Sequence, residues 1–129
     1  MADTKRVLVA EDNDANYSLV AYVLARQGLA VYRARDGQET LEMASEDPPD
    51  LLLMDVQMPK IDGLEVTRRL RQLPATHSLP IVVVTALAMR GDQQRAVAAG
   101  CDAYLAKPVS PTQLIEMTQR FLAPTNGDS

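Results

Sequence analysis

Five short apolar runs recur along the chain, and a longer amphipathic stretch follows each of them. Three of the runs are apolar without alternation, which is typical of strands covered by helices on both faces: residues 7–10, 51–54 and 81–84. Residues 30–34 and 103–106 are more mixed, as expected of strands near a sheet edge. Because strands and helices alternate, the pattern predicts a doubly wound α/β fold with a parallel sheet and right-handed crossovers.

Capping residues mark the boundaries of the predicted helices. Asp36 and Ser110 each stand three residues before a side chain, Glu39 and Gln113, that can reach back toward the cap. Gly100 follows the fourth helical stretch, and a glycine at such a place predicts a left-handed C-terminal cap. The helices therefore begin and end where the strand pattern requires.

The length and composition predict one globular domain. A chain of 129 residues with 47% apolar and 23% charged residues is long enough for one core and has an ordinary soluble composition. We expect the domain to span residues 1–123. Residues 124–129 contain Pro, Asn and Gly, so we expect a flexible tail there.

Charge and cysteine content exclude several classes of function. A net charge of −4 argues against direct nucleic-acid binding, and we expect Arg68, Arg69 and Arg71 to form the solvated face of a helix. One cysteine makes no internal disulfide, and no signal peptide or apolar stretch of about 18 residues appears. These features predict a cytoplasmic protein with no membrane contact.

Polar side chains follow four of the predicted strands. Glu11 and Asp12 come after the first strand, Asp55 after the third, Thr85 after the fourth and Lys107 after the fifth. In an open parallel sheet ligands bind beyond the carboxyl ends of the strands, so we expect these groups to converge. Three carboxylates together repel one another, and a hard divalent cation such as Mg²⁺ relieves that repulsion. A carboxylate nucleophile, a cation, a lysine and a hydroxyl together suit phosphoryl transfer.

These residues resemble the receiver domains of two-component response regulators. The resemblance extends over about residues 6–121 and is carried by residues 9–13, residues 54–59 with Asp62 and Gly63, residues 84–86, and Lys107 with Pro108. It implies a flavodoxin-like (βα)5 fold with five parallel strands in the order 2-1-3-4-5 and helices on both faces.

The resemblance also implies roles for individual residues at the site. Asp55 corresponds to the phosphoryl acceptor, Asp12 to a direct ligand of Mg²⁺ (with Mn²⁺ possible), and Glu11 to its partner, which acts through water. The backbone carbonyl of Gln57 is the expected third protein ligand. Lys107 and Thr85 are expected to contact the phosphoryl group.

Further implied features concern switching and signal lifetime. The Lys107–Pro108 bond is expected to be cis, and Tyr104 matches an aromatic residue that turns inward when Thr85 moves. Gln57 and Leu87 occupy the positions that tune the lifetime of the phosphorylated state. An amide and a leucine admit attacking water less well than acidic or small residues, so we expect self-dephosphorylation to take minutes or longer.

The resemblance implies protein partners. The donor is expected to be a histidine kinase or a histidine phosphotransfer protein, and the target to bind the fourth helix, fifth strand and fifth helix. The chain is expected to be a monomer or a phosphorylation-dependent dimer, and to catalyse only its own phosphorylation and dephosphorylation.

Three alternatives remain open at this point. The chain is either a stand-alone receiver or a receiver excised from a hybrid histidine kinase. An aspartyl-phosphate phosphatase would usually carry a second carboxylate where Gln57 stands. A pseudo-receiver that is never phosphorylated would usually lack an acidic residue or the lysine, and neither is missing here.

Overall fold

A computed structural model describes residues 4–86 and 91–122 of the chain. The predicted tail at 124–129 and Leu87 lie outside the described residues. Within them, strands and helices alternate in this order: β1 Arg6–Ala10, α1 Asp14–Arg26, β2 Ala30–Ala34, α2 Gly37–Glu46, β3 Leu51–Asp55, α3 Gly63–Arg71, a 3₁₀ turn Pro74–Thr76, β4 Ile81–Thr85, α4 Asp92–Ala99, β5 Ala103–Ala106 and α5 Pro111–Leu122.

The strands form one sheet, and every neighbouring pair is parallel. Its order is β2-β1-β3-β4-β5, which confirms the predicted flavodoxin-like arrangement. The central strands β3 and β4 are buried along their whole length, whereas β2 and β5 lie at the edges and are only partly buried. The uniformly apolar runs and the mixed runs thus correspond to central and edge strands, as predicted.

Side chains on the two faces of the sheet form two separate cores. Leu8, Leu52 and Met54 point to the face covered by α2, α3 and α4, and the last two are fully buried. Val7 and Leu53 point to the opposite face and pack with Leu24 of α1 and Leu114 of α5. Alternate strand residues serve opposite faces, so each face of the sheet needs its own covering helices. Among the described residues no helix is long and apolar enough to cross a membrane.

The predicted caps are present, with one difference in detail. The Ser110 hydroxyl accepts from Gln113 N, and the Gln113 side chain accepts in return from Ser110 N, each at 3.1 Å. Asp36 accepts from Glu39 N at 2.8 Å, but the Glu39 carboxylate accepts from Arg35 N, one residue before the cap. Gly100 has a φ of 108°, which confirms the left-handed cap.

The basic stretch in α3 differs from its prediction at one residue. Arg68 and Arg69 are exposed and pair with Glu65, as a solvated helix face should. Arg71 is instead mostly buried and donates to carbonyl oxygens beyond the end of α3. The solvated-face prediction is therefore wrong for Arg71, because the chain turns back over this last residue of the helix.

Gly37 lies where the loop between β3 and α3 packs against the start of α2. A Cβ atom at this position would overlap the carbonyl oxygen of Ile61, and Gly37 N donates to Pro59 O at 3.2 Å. The same loop contains Lys60, which adopts a φ of 73° and pairs with Asp36 at 3.4 Å. The backbone of this loop therefore leaves room only for a glycine at position 37.

We expect Gly37→Ala to destabilise the protein by about 2 kcal/mol, because the loop must move away from α2 to admit a methyl group. Urea unfolding followed by circular dichroism measures this change. Gln38→Ala is the matched control, since Gln38 is the next residue of α2 and is exposed. Equal unfolding midpoints for wild type and Gly37→Ala would show that the loop yields freely.

Candidate functional site

The carboxyl ends of four neighbouring strands bring the predicted site residues together. Asp55 is the last residue of β3 and pairs in register with Val84, so Thr85 follows at the same edge. Glu11 directly follows β1, and Lys107 directly follows β5. Because parallel strands end at a common edge, side chains distant in sequence meet there.

Lys107 is the centre of the cluster. Its Nζ donates to Glu11 Oε1 and to Asp55 Oδ2, both at 2.8 Å. Its backbone N donates to Thr85 O at 2.8 Å, and the Lys107–Pro108 bond is cis, as the resemblance implies. Burial acts to lower the pKa of the Lys107 ammonium, but the hydrogen bonds and charges of Asp55 and Glu11 outweigh it and raise the pKa. The ammonium therefore stays charged at neutral pH.

Each of the two buried carboxylates has a backbone donor on its second oxygen. Asp55 Oδ1 accepts from Gln57 N at 3.0 Å, and Glu11 Oε2 accepts from Asn13 N at 3.2 Å. Asp55 and Glu11 are buried, whereas Asp12 is exposed. These contacts orient both buried carboxylates and leave Asp12 on the solvent side of the cluster.

The start of α1 is capped by Asn13 rather than by the acidic pair. Asn13 Oδ1 accepts from Asn16 N at 2.8 Å, which satisfies a donor in the first turn of the helix. Glu11 and Asp12 are therefore not needed as helix caps. Their position is explained by the cluster at the sheet edge instead.

The acidic cluster fits a hard divalent cation. Glu11, Asp12 and Asp55 each offer a carboxylate oxygen, and these three oxygens lie within 4.8 Å of one another. The cluster gathers three carboxylates, and Lys107 pairs with two of them, Glu11 and Asp55. Oxygen donors and excess negative charge are the features that bind Mg²⁺. The cluster therefore has the ligand atoms that a divalent cation requires.

The predicted switch and tuning residues occupy different surroundings. Thr85 is buried at the end of β4. Tyr104 packs against the face of the sheet that carries α2, α3 and α4, and its hydroxyl oxygen is buried, so the ring lies inward. Gln57 is exposed in the turn after β3, and its backbone N–H contacts Asp55. The structure thus brings Thr85 and Gln57 to the cluster, whereas Tyr104 packs, partly buried, against the face of the sheet.

The start of α3 packs directly on the backbone of Asp55. A Cβ atom at Gly63 would lie 2.7 Å from the Asp55 carbonyl oxygen, and Gly63 N donates to Val56 O at 2.8 Å. Asp62 caps the helix by accepting from Glu65 N at 2.9 Å. Sequence reasoning identified Asp62 and Gly63 as part of a motif without this physical reason.

Sequence reasoning missed Arg33, which contacts the backbone of Glu11 from β2. Its Nε donates to Glu11 O at 3.1 Å. The signal was present in the sequence, since an arginine interrupts the strand, but the mixed composition was attributed to a position near the sheet edge. The side chain is in fact mostly buried.

An apolar cleft of about 290 Å³ opens beside the cluster. Glu11, Asp55 and Lys107 lie in its lining, together with Leu19 of α1 and Val109, which follows β5. Leu19 is exposed, so the cleft continues onto the outer surface of α1.

Comparison with known proteins gives a consistent result. The family model described as the response regulator receiver domain matches residues 7–119. The polar-differentiation response regulator DivK of Brucella ovis is 41% identical over 119 residues, which span 92% of this chain and 97% of that protein.

Two solved structures add information about ligands and partners of related domains. The receiver domain of the sensor histidine kinase PA1611 from Pseudomonas aeruginosa has a magnesium ion coordinated in its active site cleft. It is 31% identical to this chain, with a TM-score of 0.87, and the match covers 95% of this chain and 100% of that one. The receiver domain of Ssk1 from Saccharomyces cerevisiae was crystallised with the histidine phosphotransfer protein Ypd1; the match is 26% identical, with a TM-score of 0.84 and coverage of 92% and 88%.

Proposed function

Since this chain belongs to the response regulator receiver domain family, we propose that it is a phosphorylation-dependent switch of two-component or phosphorelay signalling, with Asp55 as the phosphoryl acceptor. The observation that carries the proposal is the bridge from Lys107 Nζ to Asp55 and Glu11 at the carboxyl edge of the sheet. We assign residues 1–123 to the receiver domain and residues 124–129 to a tail.

The proposed reaction transfers a phosphoryl group from a phosphohistidine donor to Asp55. A carboxylate oxygen of Asp55 forms the new bond to phosphorus, the bond from phosphorus to the donor imidazole breaks, and the imidazole nitrogen keeps the electron pair and takes up a proton. The Gln57 N–H holds Asp55 Oδ1, and Lys107 holds Oδ2. These two contacts orient the nucleophile before the donor arrives.

The remaining residues stabilise the charge that arrives with the phosphoryl group. Lys107, charged at neutral pH, is assigned to one phosphoryl oxygen, and the Thr85 hydroxyl is assigned to another. Asp12, Asp55 and the Gln57 carbonyl are assigned as ligands of Mg²⁺, with Glu11 acting through water; Mn²⁺ is an alternative ion. Bound Mg²⁺ supplies charge screening between the carboxylates and the incoming phosphoryl oxygens.

The proposed output couples Thr85 to Tyr104 and to the surface of α4, β5 and α5. Movement of Thr85 toward the phosphoryl group would change the packing of Tyr104, which already lies inward. A histidine kinase or histidine phosphotransfer protein is the proposed donor, as Ypd1 pairs with the Ssk1 receiver. A downstream protein is the proposed target. Gln57 and Leu87 are assigned to a slow loss of the phosphoryl group.

The experiment that tests the proposal is incubation with acetyl phosphate, with and without Mg²⁺, followed by intact-mass measurement. We expect one phosphoryl group per chain with Mg²⁺ and almost none after removal of divalent cations with EDTA. Supplying Mg²⁺ again after EDTA should restore incorporation. A chain that stays unmodified in both conditions would contradict the proposal and favour a pseudo-receiver.

A further inference from the structure

Arg33 is a charged residue of an edge strand whose side chain is nevertheless only 14% exposed. It pairs in register with Val9 of β1, and its guanidinium carbon lies 4.5 Å from the centroid of the Tyr17 ring. A stacked guanidinium of this kind has a fixed orientation and weakened contact with water. The side chain is thus held in one position over the first turns of α1.

Two further contacts of Arg33 lie at opposite ends of one short loop. Its Nε donates to the backbone carbonyl of Glu11 at 3.1 Å, and its Nη2 forms an ion pair with Asp14 Oδ1 at 2.9 Å, with the N–H not aligned on the oxygen. Glu11 is the first residue after β1, and Asp14 is the first residue of α1. The loop between these contacts carries Asp12, so one guanidinium holds both ends of the acidic segment.

We propose that Arg33 is a positioning residue for divalent-cation binding. It fixes the backbone from which the Glu11 and Asp12 carboxylates project. The inference rests on the proposed function, in which these carboxylates hold Mg²⁺. Arg33 contacts the carbonyl of Glu11, whereas the Glu11 carboxylate contacts Lys107 and Asn13. Arg33 therefore acts through the backbone of the loop.

Charge and position predict opposite effects for the loss of Arg33. A cation near a Mg²⁺ site repels the ion, so if only charge mattered, removal of Arg33 would tighten Mg²⁺ binding. If Arg33 holds the loop, its removal lets Glu11 and Asp12 move apart, and Mg²⁺ binding weakens. Outer-shell partners that orient metal ligands typically contribute about 10- to 100-fold to affinity. The sign of the change therefore separates the two roles.

Arg35, the residue directly after β2, provides a matched control. Its Nη1 lies 3.2 Å from the same Asp14 Oδ1, but its side chain is 63% exposed, and its side-chain contacts do not include the Glu11 carbonyl. Arg35→Met removes the same charge from the same carboxylate while leaving the link to Glu11 in place. Because exposed ion pairs contribute little, we expect less than about a twofold change in Mg²⁺ affinity.

The test is isothermal titration calorimetry with MgCl₂ on wild type, Arg33→Met, Arg33→Lys and Arg35→Met, with urea unfolding of each variant. We expect the Mg²⁺ dissociation constant of Arg33→Met to rise about tenfold. Lysine keeps the positive charge but lacks the planar guanidinium group, which can contact Glu11 and Asp14 at once. Arg33→Lys should therefore give a Mg²⁺ dissociation constant between those of wild type and Arg33→Met. Arg35→Met should match wild type.

Each outcome has a defined meaning. An unchanged or lower dissociation constant in folded Arg33→Met would overturn the role of Arg33 and leave the proposed function intact. If Arg33→Met does not fold, Arg33→Lys decides: a rise of about threefold or more supports the role, and a value equal to wild type overturns it. Wild-type protein that binds no Mg²⁺ would overturn the proposed metal site and this inference with it.

Discussion

Asp55→Asn is expected to abolish phosphoryl incorporation from acetyl phosphate. The amide has nearly the shape of the carboxylate, so its oxygen can still accept from Lys107, but its lone pairs are far less nucleophilic. Lys107 also keeps Glu11 as a partner at 2.8 Å. The variant should therefore fold like wild type but lose both the nucleophile and one of the proposed Mg²⁺ ligands. Intact-mass measurement after incubation with acetyl phosphate and Mg²⁺ gives the incorporation directly.

Asp62→Asn is the matched control for this prediction. Asp62 lies seven residues after Asp55, is exposed, and caps α3 by accepting from Glu65 N at 2.9 Å. Asparagine caps helices about as well as aspartate, so the change removes one charge from the same loop with little other effect. Incorporation should stay within about twofold of wild type, because exposed charges contribute little. If Asp55→Asn were phosphorylated as fast as Asp62→Asn, Asp55 would not be the acceptor.

Arg71→Met is expected to give the largest loss of stability, about 3 kcal/mol, because four carbonyl oxygens, three of them in partly buried hydrogen bonds, lose a charged donor at once. Arg71 is only 19% exposed and donates to Asp102 Oδ2 at 2.9 Å and to four carbonyl oxygens. The carbonyl acceptors are those of Gly100 at 2.9 Å, Thr76 and His77 at 3.2 Å, and Leu79 at 2.7 Å.

The position of Arg71 explains why the effect should be large. It joins the end of α3 to the turn before β4 and to the loop between α4 and β5. Asp102 also accepts from Ile81 N at 2.8 Å, so the contact reaches the first residue of the central strand β4. Methionine replaces the apolar stem and satisfies none of the acceptors. Urea unfolding measured by circular dichroism gives the free energy of unfolding.

Arg68→Met is the matched control on the same helix. Arg68 is 51% exposed and pairs only with Glu65, three residues earlier, in the contacts described. Surface pairs of this kind contribute little, so we expect a change below about 0.5 kcal/mol. Similar free energies of unfolding for Arg68→Met and Arg71→Met would mean that the contacts of Arg71 add no net stability.

The strand pattern predicted the fold because a strand that is buried on both faces has an uninterrupted run of apolar residues. The all-apolar runs that become β3 and β4 show it directly, since they are buried along their whole length. That Glu11, Asp12, Asp55 and Lys107 come together was also predictable, because strand ends and strand order determine which side chains meet at the sheet edge. The reciprocal cap of Ser110 and Gln113 was predictable for a similar reason, since its partners lie within one turn.

The contacts of long side chains were not predictable in the same way. From the sequence of α3, Arg68 and Arg71 are equally expected to be exposed to solvent. Arg71 instead donates to four carbonyl groups because of how the chain folds after the helix. Arg33 likewise reaches Glu11 because β2 pairs with β1. The two residues lie 22 positions apart in the chain. Such contacts depend on the tertiary arrangement, which local sequence does not specify.

The measurement that tests the central claim most directly is borohydride reduction of protein treated with acetyl phosphate and Mg²⁺, followed by peptide mass spectrometry. Borohydride converts an aspartyl phosphate to homoserine and leaves an unmodified carboxylate unchanged. We predict conversion at position 55 alone, and only in protein that received both acetyl phosphate and Mg²⁺. Conversion at Asp12 instead, or none anywhere in protein whose mass shows a phosphoryl group, would contradict Asp55 as the acceptor.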